Sequence, residues 1–122
     1  MKYLFSFEKL NVWIASKDLA LLIYKGSEGF PKSENFGLVN QIRRSSISIS
    51  SNIAEGNSRK SKTDRLRFFN IAYSSLMEML SQSIIAYELG FITSDNYHKI
   101  RELSNEISNK LIALMNKQET FQ

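Results

Sequence analysis

The residues that could do chemistry in this chain fall into a basic group, a polar group and one acid–histidine pair. The basic group is Arg59, Lys60, Lys62, Arg65 and Arg67, preceded by Arg43 and Arg44. Cationic side chains on flexible stems can track the phosphates of a nucleic-acid backbone. Phe68, Phe69 and Tyr73 lie beside Arg65 and Arg67, and aromatic–basic interleaving can stack bases. At helical spacing these rings read as core. The polar group is Asn52 and Glu55, three apart on one helical face, with Glu78 further along. An amide and a carboxylate could bind a ligand or move a proton. We read them as structural, bonded to Arg43, Arg44 or the carbonyls of a serine-rich helix, because buried polar groups need partners. Arg43 and Arg44 point ~100° apart on a helix and cannot form one clamp. One is expected to pair with Glu78 or Glu55, and the other to face solvent or a neighbouring subunit. Asp95 and His98 have the i, i+3 spacing of carboxylate-bundle metal proteins, which need further glutamates and a second such motif. His98 is the one histidine, so the pair reads as a helix-start charge and a surface imidazole. No metal and no cofactor are expected. Serines are plentiful, but none stands with a base and an orienting group, and no glycine-rich phosphate loop occurs. An enzyme is not expected.

Four helices must position these groups. The first spans Phe7 to Ser27, with Phe7, Leu10, Ile14, Leu21 and Tyr24 on one face and further apolar residues around it. Gly26, Gly29 and Pro31 break it, and Ser33 is placed to cap a second helix from Glu34 to Glu55. Val39, Ile42, Ser46, Ile49 and Ile53 give that helix its core stripe. Its serines allow close helix approach and can bond carbonyls one turn back. Gly56 is placed to end it. Ser61 and Asp64 then form a variant capping box for the third helix, which runs to Leu89 and stops at Gly90. The third helix carries two stripes, Leu66, Phe69, Tyr73, Leu76 and Leu80, and Phe68, Ala72, Ser75, Met79 and Ala86. One fills the core and the other is expected to need a partner. Thr93 or Ser94 caps the fourth helix, whose stripe is Ile100, Leu103, Ile107, Leu111 and Leu114. It frays into a polar tail, Lys117 to Gln122. Short connections between amphipathic helices imply an antiparallel up-down-up-down four-helix bundle, all-α, as one domain over residues 1–122.

The chain's 122 residues are 43% hydrophobic and 23% charged, which suits a folded globule. Without cysteine it has no disulfide, thiol nucleophile or thiolate metal site. No apolar run approaches a membrane span, and Met1 to Phe7 is too short an apolar patch for a signal peptide, so a cytoplasmic protein is expected. The net charge of +4 is local. Residues 41–67 hold seven basic and two acidic side chains, while the remainder is close to neutral. A local basic patch attracts phosphates, and repetition in an oligomer multiplies the effect.

The order of motifs resembles a known family. Phe7-Glu8-Lys9-Leu10-Asn11-Val12-Trp13 opens it, and Phe30-Pro31 leads to Gly37-Leu38. The most specific block is Gln41-Ile42-Arg43-Arg44-Ser45-Ser46, continuing through Ser48-Ile49 to Asn52-Ile53-Ala54-Glu55-Gly56. Arg67-Phe68-Phe69, Ile71-Ala72, Ser75-Leu76, Glu78, Gln82 and Leu89-Gly90 follow. This pattern, over nearly the whole chain, is similar to the four-helix-bundle proteins encoded within intervening sequences of 23S ribosomal RNA genes. Ser50 stands where the family often has proline, and Leu80 where a second acid is common. The family is in turn similar to accessory proteins of diversity-generating retroelements, basic barrel-shaped pentamers that bind nucleic acid and a reverse transcriptase. The resemblance therefore implies a bundle, a homopentamer, and RNA, DNA or a reverse transcriptase as partner, with no enzymatic activity. The other reading from the residues is a homo-oligomeric scaffold whose ligand is another protein.

Overall fold

The computed structural model describes residues 3–120. A 3-10 turn, Ser6–Lys9, precedes α1 (Asn11–Ser27), and a second, Lys32–Glu34, precedes α2 (Leu38–Ser58). The long helices α3 (Lys62–Glu88) and α4 (Ser94–Thr120) follow, and no strand occurs among the described residues. Each helix packs on its sequence neighbours, and α4 returns to α1. Contacts between elements run in opposite numerical directions. Ser6, in the turn before α1, meets Asn57 near the end of α2, and Ser27 at the end of α1 meets Arg43 near the start of α2. Ser48 meets Ser75 and Ser45 meets Gln82 across α2 and α3. Arg65 meets Gln118, and Tyr87 stacks on Tyr97 at 4.0 Å, across α3 and α4. The bundle is therefore the antiparallel up-down-up-down arrangement, with α1 diagonal to α3.

Local chemistry sets the boundaries. Ser61 Oγ accepts the Asp64 N–H at 3.1 Å and starts α3, and Thr93 Oγ1 accepts the Asn96 N–H at 3.2 Å and starts α4. Gly90, at φ +81°, takes the left-handed conformation that ends α3. Other boundaries differ from the sequence reading. Leu10 is extended (φ −76°, ψ 124°), so the stretch Phe7–Lys9 is a separate turn and α1 begins at Asn11. Ser33 caps nothing. It lies inside the second 3-10 turn, and α2 starts only at Leu38, whose N–H donates to Glu34 Oε1 at 3.3 Å. Gly56 is an interior residue of α2, which ends at Ser58. The polar stretch from Lys117 remains helical through Thr120, and residues 121–122 lie outside those described.

The core is built from Leu19, Ile42, Ile49, Ile53, Phe69, Leu76, Met79, Ile107 and Leu111, all fully buried. Burying such a side chain contributes roughly 1.5–3 kcal/mol. The α2 stripe Val39, Ile42, Ser46, Ile49 and Ile53 faces inward as expected. Two other faces depart from the sequence reading. Phe69, Leu76, Ala72, Met79 and Ala86 of α3 are all buried within this one chain, so both stripes turn inward, and the apolar residues that α3 exposes are others, Ile71, Met77 and Ile85 among them. On α1 the buried residues are Val12, Ala15, Ser16, Leu19, Ala20, Ile23 and Ser27, and the stripe Ile14, Leu21 and Tyr24 points outward. Apolar residues encircle α1, and small Ala15, Ser16 and Ala20 let it approach the core closely on the other side.

Polar seams run through the packing. Ser45, Ser46 and Ser50 each donate to the carbonyl three residues back. Ser45 Oγ also reaches Gln82 Oε1 at 2.8 Å, and the Ser48 and Ser75 hydroxyls bond at 2.8 Å. Such bonds contribute ~1 kcal/mol net each and fix the α2–α3 register. Ser104 of α4 differs: its hydroxyl is buried without a hydrogen-bond partner among the described residues. Ser104→Ala should raise stability by about 1 kcal/mol, because the unmade bond leaves with the hydroxyl. Thermal unfolding checks this, and an unchanged or lower midpoint would refute it.

Candidate nucleic-acid interface

The connection between α2 and α3 is Arg59–Ser61, and most of the expected basic site gathers around it. Arg59 and Lys60 are exposed in the connection, Lys62 is the first residue of α3, and Arg67 is exposed one turn further. Phe68 organises the two arginines. The Arg59 guanidinium stands 4.7 Å and that of Arg67 4.9 Å from its ring centre. Such contacts contribute ~0.5–1 kcal/mol at exposed sites and leave the N–H edges available to an acceptor. Arg59 also meets Glu55 at 3.5 Å, and Arg67 meets Asp64 at 3.8 Å. Both pairs are exposed, so either can yield to a phosphate at little cost.

Arg65 does not belong to this group. Its Nε donates to Gln118 Oε1 at 2.9 Å, and its Nη1 donates to the carbonyls of Asn57 at 3.2 Å and Arg59 at 3.0 Å. Half-buried against Phe69, it braces the end of α2 against α3 and α4. The phosphate role read for Arg65 from the sequence is replaced by this structural one.

The polar block is dispersed. Arg43 pairs with neither Glu78 nor Glu55. Its Nε donates to Ser27 Oγ at 2.8 Å, its Nη2 to the Tyr24 carbonyl at 3.2 Å, and its guanidinium lies 4.7 Å from the Tyr24 ring. It thereby ties the end of α1 to α2. Arg44 and Glu78 line one depression of about 320 Å³ with Asn40, Gln41, Ser45 and Ser48, and neither forms an ion pair among the described residues. Asn52 donates to the Ser48 carbonyl at 2.8 Å and to Ser48 Oγ at 3.1 Å, extending the Ser48–Ser75 link. Glu55 is exposed and three residues from Asn52, and its carboxylate accepts from Arg59 and not from the Asn52 amide. The expectation that Glu55 supports a buried network is corrected: its partner is the exposed Arg59. Asp95 sits in the first turn of α4 and His98 is exposed.

Sequence reasoning missed an aromatic arm beside the basic turn. Tyr3, Leu4 and Phe5 are exposed, and Ser6 and Phe7 border the end of α2. The signal was present as an apolar Tyr-Leu-Phe run ahead of the first helix, in register with no core stripe.

Fold and site together define an all-α four-helix bundle with a basic α2–α3 turn. The chain belongs to the 23S rRNA-intervening sequence protein family, whose model matches residues 8–113. It is also similar to a crystal structure of a protein with unknown function from the S23 ribosomal protein family of Bacteroides thetaiotaomicron. That likeness has a TM-score of 0.76 and 29% identity, and it covers 85% of this chain and 97% of the other. No curated protein matches the chain. Among the described residues no helix is long and apolar enough to cross a membrane.

Proposed function

We propose that this chain is a non-enzymatic, oligomeric nucleic-acid-binding protein of the cytoplasm that grips backbone phosphates with Arg59, Lys60, Lys62 and Arg67. The observation that carries this reading is the arrangement of Arg59 and Arg67 around Phe68, with Lys60 and Lys62 alongside. The chain's positive charge is concentrated there, and the start of α3 adds a modest field for anions. The resemblance to pentameric accessory proteins makes a ring of five the preferred assembly. Its physical support is the placement of exposed apolar residues on diagonal helices: Ile14, Leu21 and Tyr24 on α1, and Ile71, Met77 and Ile85 on α3. Two different surfaces facing apart suit head-to-tail contacts, which give a ring where the rotation between subunits closes. A ring would repeat the basic turn and turn weak contacts into avidity.

Binding should be tolerant of sequence and fall steeply with salt. Replacing Arg59, Lys60 and Lys62 together by Ser should leave assembly intact and weaken RNA and DNA alike. The salt slope should fall by ~0.7–0.9 for each phosphate no longer neutralised. Fluorescence anisotropy across a salt series measures this. Unchanged affinity in the triple variant would sink the patch. It would promote a protein scaffold, with a reverse transcriptase or other protein as ligand, a reading to which the exposed apolar residues of α1 and α3 are equally suited.

A further inference from the structure

The aromatic arm before α1 is held in place yet unused by the bundle. Tyr3 is 80% and Phe5 70% exposed. The Phe5 N–H nevertheless donates to Glu8 Oε2 at 2.7 Å, Phe7 packs edge-on to Trp13 at 4.9 Å, and Asn57 Nδ2 donates to Ser6 Oγ at 3.1 Å. Between this segment and the end of α2 lies a depression of about 360 Å³, walled by Phe5, Phe7, Ala54, Glu55, Asn57 and Ser58. It adjoins the basic turn, because Glu55 in its wall is the partner of Arg59 at 3.5 Å.

We infer that the Phe5 slot and the basic turn form one site for single-stranded nucleic acid, with an unstacked base against Phe5 and its phosphates on Arg59 and Lys60. This inference rests on the nucleic-acid reading above and names the form of the ligand. An exposed ring beside cations is the arrangement that captures unpaired bases, since every base has a face to stack. The Arg59 guanidinium touches the Glu55 carboxylate in the slot wall at 3.5 Å, so slot and cation adjoin. The Glu55 carboxylate offers only acceptors. Its charge is countered by Arg59, and it suits the N–H groups of a base edge. A duplex keeps its bases stacked and paired, and extruding one costs a few kcal/mol, so the slot favours strands already open.

Anisotropy titrations with labelled oligoadenylate, its duplex with oligouridylate and an abasic strand of equal length test this. The parent, Phe5→Ala, Phe5→Trp and the triple basic variant are compared at one salt concentration. Phe5→Ala should weaken single-strand binding about 5- to 150-fold and leave duplex and abasic binding unchanged. Phe5→Trp should restore it. Phe5 is exposed, so the fold should survive, and circular dichroism checks that. If Phe5→Ala binds the single strand as the parent does, or loses all three probes equally, the slot inference fails. The basic-patch reading then stands or falls on the triple variant alone. If Phe5→Ala lowers the assembled mass in light scattering, the slot is occupied by a second copy and the inference also fails. A parent that binds none of the probes overturns both readings.

Discussion

Gly56→Val should abolish most of the stability of this protein, and Gly56→Ala should remove a smaller part. A Cβ at this position would lie 2.6 Å from Phe69 Cε1, 2.8 Å from Phe69 Cδ1 and 3.1 Å from Phe68 Cβ. Phe69 is fully buried between α2, α3 and the Arg65 brace, so its ring has nowhere to swing. Overpacking of this kind costs ~1–3 kcal/mol for one added carbon. Alanine recovers ~1 kcal/mol through its better helix propensity, leaving a net loss of up to ~2 kcal/mol. Valine adds two further carbons and regains less, so its loss should exceed ~3 kcal/mol. Urea unfolding of both variants measures these losses. The mechanism has its own check. Phe69→Leu shortens the opposing ring, and in the Gly56→Ala background it should cost less than it does alone, with a coupling of ~0.5–3 kcal/mol. Strict additivity would mean that Gly56 is needed for some reason other than room for Phe69.

Leu21→Glu should convert the proposed ring into monomers without disturbing the helix that carries it. Leu21 is 54% exposed at the middle of the outward stripe of α1, between Ile14 and Tyr24. A carboxylate there would meet Lys17 one turn before and Lys25 one turn after, pairings that stabilise a free helix by ~0.2–0.5 kcal/mol each. At a subunit contact the same charge would be buried against apolar surface, where desolvation costs several kcal/mol. Light scattering during gel filtration should therefore show a mass near 14.1 kDa for the variant and a multiple of it for the parent. Circular dichroism should be the same for both. A variant that keeps the parent's mass would exclude this stripe as an interface, and a monomeric parent at micromolar concentration would end the assembly proposal.

The four helices and the way each packs on its neighbour were legible because three of them have a clear apolar periodicity. The α2 stripe ending at Ile53 and the α4 residues Ile100, Ile107 and Leu111 face the core as their spacing requires. The orientation of α1 was not legible. Its apolar residues surround the axis, and the choice of Ala15, Ser16 and Leu19 over Ile14 and Leu21 depends on how closely α2 and α4 approach. No local pattern holds that distance. The same limit applied to Gly56, where a glycine near a helix end reads as a stop, whereas here it makes room for a ring thirteen residues on. At the site, the basic cluster could be read from charge alone. The separate duties of Arg65 and its neighbours could not, because its acceptor Gln118 lies on another helix. Arg43 likewise finds its partners on α1, and adjacency to Arg44 said nothing about them.

The Arg65 brace also bears on the thermodynamics of ligand capture. A free backbone residue loses roughly 1–2 kcal/mol of conformational entropy when it is fixed. A mobile turn of the length of Arg59–Ser61 would surrender several kcal/mol on meeting a polyanion, enough to erase the gain from one or two phosphate contacts. Here the carbonyls of Asn57 and Arg59 are already held by the Arg65 guanidinium, and Ser61 already caps α3. The ordering of the turn is completed when the bundle folds. In the proposed role its cations would meet a polyanion on a backbone with little freedom left to lose, so weak individual contacts would keep most of their value as affinity.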